Sequence, residues 1–142
     1  MRFLLDTCVI SEMRAKQPHE NLVKWIDGVT DERLFLCVIT IGEIKRGIEK
    51  LPGGQKKLEL EEWLQERLLA RFKDRILGID IGVMLTWGDM VARLEKQDRV
   101  VPGIDSLIAA IALYHDMHLV TRNERDFCDT GVRLVSPWIE IS

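Results

Sequence analysis

Three consecutive apolar residues, Phe3, Leu4 and Leu5, run directly into Asp6 with no turn residue between them. A short uninterrupted apolar run is the pattern of a strand buried on both faces, as in a parallel sheet. Val9, Ile10 and Met13 then recur at helical spacing, so a carboxylate sits where a central strand ends and a helix begins. In open α/β sheets that edge is where ligands bind.

The same alternation continues along the chain. Leu34 to Ile39 reads as a second buried strand, Arg75 to Ile79 as a third, Leu119 to Thr121 as a fourth and Val132 to Val135 as a fifth. Helical spacing predicts helices over Cys8 to Arg14, Leu22 to Val29, Thr40 to about Leu51, Leu58 to Phe72, Gly82 to Gln97 and Ile104 to His115. Pro52-Gly53-Gly54 stops one of them, and Ser136 to Ser142 is left as a tail. Strands alternating with helices predict an α/β/α three-layer sandwich with a mostly parallel sheet of four to five strands. With 142 residues and no linker or repeat, one domain over residues 1–142 is expected.

Composition narrows the class. A 46% hydrophobic and 30% charged chain is not predominantly disordered. Ile76 to Trp87, the best apolar stretch, falls short of the roughly 20 residues of a membrane span and contains Asp80. No signal peptide is read at the start. Three widely spaced cysteines, Cys8, Cys37 and Cys128, suit reduced thiols and a cytoplasmic location. A net charge of −3 is not a basic nucleic-acid footprint. The cations are nevertheless grouped: Lys45, Arg46, Lys50, Lys56 and Lys57, then Arg71, Lys73 and Arg75, then Arg93, Lys96 and Arg99. Most of these read as solvated helix faces.

Four acids carry the chemistry, each with a plainer reading beside it. Asp6 fits the N-cap of the helix after it. Thr40-Ile41-Gly42-Glu43 fits a capping box, in which Glu43 would reach back to the N-cap amide. Asp105 falls in the first turn after Pro102-Gly103, where the helix dipole favours negative charge. Asp126 follows the fourth strand in a predicted turn that Asn123 could cap. Together they mean more. Right-handed crossovers bring the carboxyl ends of parallel strands to one edge of the sheet. Carboxylates gathered there repel and raise one another's pKa, which suits a site for a hard cation such as Mg2+ or Mn2+. Such a cation binds phosphate oxygens, so phosphodiester hydrolysis is the chemistry implied.

Leu4-Leu5-Asp6-Thr7-Cys8-Val9-Ile10-Ser11-Glu12, Thr40 to Glu43, Pro102 to Ala110 and Val120 to Phe127 resemble the four blocks of the PIN domain. More narrowly the chain resembles the VapC and FitB-like toxins, down to Thr130-Gly131-Val132 and Ser136-Pro137-Trp138. The resemblance implies an endoribonuclease using Mg2+, with Mn2+ able to substitute. It also implies inhibition by a VapB/FitA-like antitoxin through which operator DNA is bound, and a homodimer. By position it makes Asp6, Glu43, Asp105 and Asp126 catalytic and metal-binding, with Thr7, Thr121 and Asn123 in support. It departs at Cys8, where the commonest first block, LDTN, has Asn; a thiol there predicts weaker support of Asp6.

Rival readings remain open on sequence. A PIN nuclease acting on DNA, or maturing RNA without an antitoxin, would carry the same acids. A receiver-like phospho-switch needs an acceptor Asp at the third strand's end, where Asp80 lies, but also a later Lys, and none follows Lys96. His115 and His118 are spaced for a zinc pair that lacks a third ligand.

Overall fold

A computed structural model describes residues 1–139; of the expected tail, Glu140, Ile141 and Ser142 lie outside the described residues. The five strands are β1 (Phe3–Leu5), β2 (Leu34–Cys37), β3 (Ile76–Leu77), β4 (His118–Val120) and β5 (Leu134–Val135). They form one sheet in the order β3-β2-β1-β4-β5, with every pairing parallel. The chain builds outward from β1 in one direction through β2 and β3, then returns to add β4 and β5 on the other side. β1 and β4 therefore flank the point where the strand order reverses.

Helices cover both faces, and β1 shows why its sequence is continuously apolar. Leu4 points into a core with Val83, Met90, Leu94, Ile108, Ile111 and Phe127. Phe3 and Leu5 point the opposite way, into a core with Val9, Leu22, Ile48, Leu64 and Phe72. The first layer comes from α6 (Ile81–Lys96) and α7 (Gly103–Tyr114); the second from α1 (Thr7–Arg14), α2 (Glu20–Asp27) and the helices that begin at Val38 and at Gln55. The expected three-layer sandwich is what forms.

Two departures have local causes. The second strand is shorter than expected, and the chain turns from Cys37 straight into α3 (Val38–Glu49). Val38 and Ile39 therefore occupy the first helical turn, and Thr40 is the third helical residue rather than the cap. Cys37 stands at the N-cap and makes no side-chain capping bond, so the predicted capping box does not exist. The long helix is also not uniform. It runs as α4 (Gln55–Glu62), a π-helical stretch (Trp63–Leu68) and α5 (Leu69–Arg71). Such wider turns are rare and frequently lie at functional sites. Within it Leu64 and Leu68 are buried, whereas Leu60, Trp63 and Leu69 are only half-buried and Leu58 is exposed.

The apolar stripe of this helix is therefore partly core and partly surface. Leu64→Ala should cost about 2–5 kcal/mol, the usual range for emptying a buried leucine site. Leu58→Ala should stay within about 0.5 kcal/mol of the parent. Urea unfolding of the two variants checks the assignment.

Candidate active site

Asp6 ends β1 and is 5% exposed. Its amide donates to the Val120 carbonyl at 3.0 Å, which extends the pairing with β4 by one residue. Its carboxylate then crosses the same gap: the Thr121 hydroxyl donates to Oδ2 at 2.8 Å. The Thr7 amide donates to Oδ1 at 2.8 Å, so Asp6 does cap α1 as its sequence suggests. Capping alone would leave the carboxylate in water, and here it is buried. Burial, and then the charge of Glu43, hold its carboxyl above the usual range despite those donors.

Glu43 is on α3, and the bond it makes is not to its own helix. The Thr7 hydroxyl donates to Glu43 Oε1 at 2.6 Å and lies 3.2 Å from the buried Thr40 hydroxyl. One turn of α3 is thus tied to the first residue of α1. A continuous polar chain results, from Thr121 through Asp6 and Thr7 to Glu43.

Asp105 stands third in α7. The start of that helix is anchored to α6 by the Trp87 indole, which donates to Ser106 Oγ at 2.8 Å, while the Ser106 hydroxyl donates to the Gly103 carbonyl at 2.6 Å. Partial burial and the charges of Asp6, Asp126 and Glu43 push the Asp105 carboxyl up to about 6. Asp126 is exposed on a one-turn helix, α8 (Glu124–Phe127), where sequence predicts only a turn. The fully buried Phe127 fixes that turn, and the Asp126 amide donates to the Asn123 carbonyl at 3.0 Å.

All four expected acids therefore face one electrostatic neighbourhood. Thr7 and Thr121 are hydrogen-bonded to them, but Asn123 contributes its amide, which donates to Thr121 Oγ1 at 3.0 Å, and no capping bond from its side chain. Among the described residues no three His, Cys, Asp or Glu groups converge to hold an ion unaided. A cation drawing on these acids would keep water ligands, which is the habit of Mg2+. The all-carboxylate donor set suits a hard ion.

Sequence reasoning missed the anchoring role of Trp87 and Ser106, and nothing in the spacing signals it. It also undervalued Cys8, whose thiol lies 3.7 Å from Asp6 Oδ2. The receiver-like switch and the zinc pair find no support among the described residues. Asp80 caps α6, accepting from the Val83 amide at 2.9 Å, beside the edge strand β3. His115 meets Tyr114 edge to face while His118 lies against Phe3.

A groove of about 810 Å3 opens from Thr7 and Glu43. Ile10, Ile44 and Leu60 line its middle, and Trp63 stands at its far end beside Arg14, whose guanidinium lies 5.4 Å from the ring centroid. Its walls are α1, α3 and α4, with Trp63 of the π-helical stretch.

The raised Asp105 carboxyl has a definite pH signature. The unfolded chain releases this proton near 3.8 and the folded chain near 6. The folded state thus binds more protons in that window, and stability from this group is lost as pH rises through it. In EDTA, Asp105→Asn should melt above the parent at pH 7, with the gap closing toward pH 4. Melting curves across that range check the sign.

Comparison with known proteins agrees with the geometry. The PIN domain family model matches residues 3–132. Toxin FitB of Neisseria gonorrhoeae is 34% identical over 135 residues, covering 95% of this chain and 97% of that protein. VapC ribonuclease Y4jK of Sinorhizobium fredii is 30% identical over 135 residues, covering 95% and 96%. The solved structure of FitAB bound to an IR36 DNA fragment contains a chain that superposes with a TM-score of 0.93 at 33% identity, covering 99% of this chain and 98% of that one. A family model spanning nearly the whole chain, and relatives this similar over their full length, mean that the chain belongs to the PIN domain family.

Proposed function

We propose that this chain is the toxin of a type II toxin–antitoxin pair, an Mg2+-dependent endoribonuclease held inactive by a cognate VapB/FitA-like antitoxin. The observation that carries the reading is the gathering of acids: partial burial first, and then the charges of Asp6, Asp126 and Glu43, push the Asp105 carboxyl up to about 6. A cluster that destabilises itself in this way makes sense where a cation completes it. Asp6, Glu43, Asp105 and Asp126 would hold the ion. When bound, Mg2+ supplies charge neutralisation for a non-bridging phosphate oxygen and for in-line attack by water, leaving a 5′ phosphate.

The protein's own contribution is orientation. Thr121 and the Thr7 amide fix Asp6, and the Thr7 hydroxyl fixes Glu43, so these carboxylates need not reorganise as RNA arrives. RNA brings phosphate charge toward an acidic centre, and the exposed cations Arg122 and Arg125, close to Asp126 in sequence, would offset it. The antitoxin would seat an apolar segment in the groove that leads from Glu43 to Trp63, and would carry the operator-DNA contacts. Ile81 and Leu85, 80% and 67% exposed on α6, with Ile79 and Met84 beside them, form an apolar surface away from that groove, suited to a homodimer. No helix among the described residues is long and apolar enough to cross a membrane.

Mn2+ in millimolar excess should raise the melting temperature over that in EDTA, by mass action on the folded state. Identical melting in both would remove the metal site. Glu43→Gln keeps an acceptor for Thr7 but loses the charge. It should leave apo stability within about 0.5 kcal/mol of the parent and abolish most RNA cleavage. Cleavage at the parent rate would reduce Glu43 to a structural residue.

Two surface variants test the partners. Leu85→Asp should convert a dimer to a folded monomer in sedimentation. Trp63→Glu should weaken antitoxin capture without altering melting. A parent chain that is monomeric, and captures antitoxin as well with Glu at position 63, would contradict both assignments.

A further inference from the structure

We propose that Cys8 is a positioning residue for Asp6, its thiol setting the direction in which that carboxylate meets a divalent cation. The inference rests on the metal-dependent reading above.

An ionised carboxylate has about four lone-pair sites. On Asp6, Oδ1 receives the Thr7 amide, while Oδ2 receives both the Thr121 hydroxyl and, at a longer 3.7 Å, the Cys8 thiol. Three donors leave room for about one further partner on the whole group. The thiol is itself held in place. The Arg122 amide donates to Sγ at 3.5 Å, and the Thr121 hydroxyl is 3.7 Å away. Sulfur therefore links the second residue of α1 to the turn after β4, across the crevice where the strand order reverses. With Thr121 it approaches Oδ2 from one side, the two donors being neighbours of each other. The thiol compensates for weak hydrogen bonding by touching three groups at once. It is half-buried, packed on one side against the apolar core, and a small apolar residue there would leave the Arg122 amide without its partner.

Positioning can be separated from packing by keeping or removing the donor. Cys8→Ala removes it; Cys8→Ser keeps a donor and an acceptor at similar size. Cys128 is exposed and would also react with thiol reagents, so substitution is the cleaner probe. Mn2+ binding is read without RNA, from the electron paramagnetic resonance of the free ion, alongside melting in EDTA and RNA cleavage at saturating Mn2+. Outer-sphere partners of a metal ligand are worth about 10–100-fold in affinity. A thiol belongs at the low end, so Cys8→Ala should weaken Mn2+ binding by about tenfold. Apo melting and KM for RNA should stay near the parent, and Cys8→Ser should recover most of the affinity.

Parent-like Mn2+ binding by Cys8→Ala would overturn the assignment alone. So would a Cys8→Ser variant as weak as Cys8→Ala, which would make the sulfur mere filling. A sulfur-to-Cd2+ charge-transfer band in the parent, lost in Cys8→Ser, would make the thiol a direct ligand and overturn it as well. Failure of the parent chain to bind Mn2+ would instead overturn the metal reading on which it stands.

Discussion

The hydrogen bond from Thr121 to Asp6 is the constraint from which the rest of the site follows. β1 and β4 pair in parallel, but the chain leaves them in opposite directions, so their carboxyl ends are not roofed by a crossover between them. Placing a carboxylate there, and burying it, is unfavourable unless donors meet it. Thr121 from one strand and Thr7 from the helix after the other supply them. The two apolar cores on either face of β1 keep these donors in register, because Leu4 and its neighbours Phe3 and Leu5 are locked in opposite directions.

Around this bond the molecule tolerates a local conflict. Asp6 and Asp105 both carry carboxyls held above their usual range, from burial first and from like charges after it. Nothing in folding calls for four acids at one edge, and a sequence selected only for stability would thin them out. Natural chains break such local rules chiefly where function requires it. The polar chain from Thr121 to Glu43 shows how the conflict is contained: the hydroxyls bind carboxylate oxygens without neutralising them.

Much of this was legible in the sequence because two-faced burial leaves an unmistakable trace. Phe3–Leu5 and Leu34–Cys37 are continuously apolar for that reason, and each of the six helices expected by period exists. β3 and β5 are two residues long, too short for any period to register, so their limits were drawn too wide. Thr40-x-x-Glu43 looked like a cap because the motif is local, whereas the start of α3 was decided by β2 ending without a loop. The polar bond that Glu43 makes joins residues 36 positions apart in the chain, which no local pattern encodes. The role of Cys8 was hidden for the same reason, since its contacts with Thr121 and Arg122 lie more than a hundred positions away. The π-helical stretch left no recognisable mark.

The groove and the acid cluster share a wall, and this limits how such a chain can diverge. Thr7 and Glu43 line the groove at one end and are hydrogen-bonded to each other at the centre of the site. Substitutions at that end disturb the chemistry whatever they do for recognition. Arg14, Lys56 and Trp63, at the other end, touch none of the acids through a hydrogen bond among the described residues. If the proposed partner occupies the groove, its selectivity can be rewritten at that end without touching the acids. Related chains would keep a common catalytic end while drifting apart around the indole.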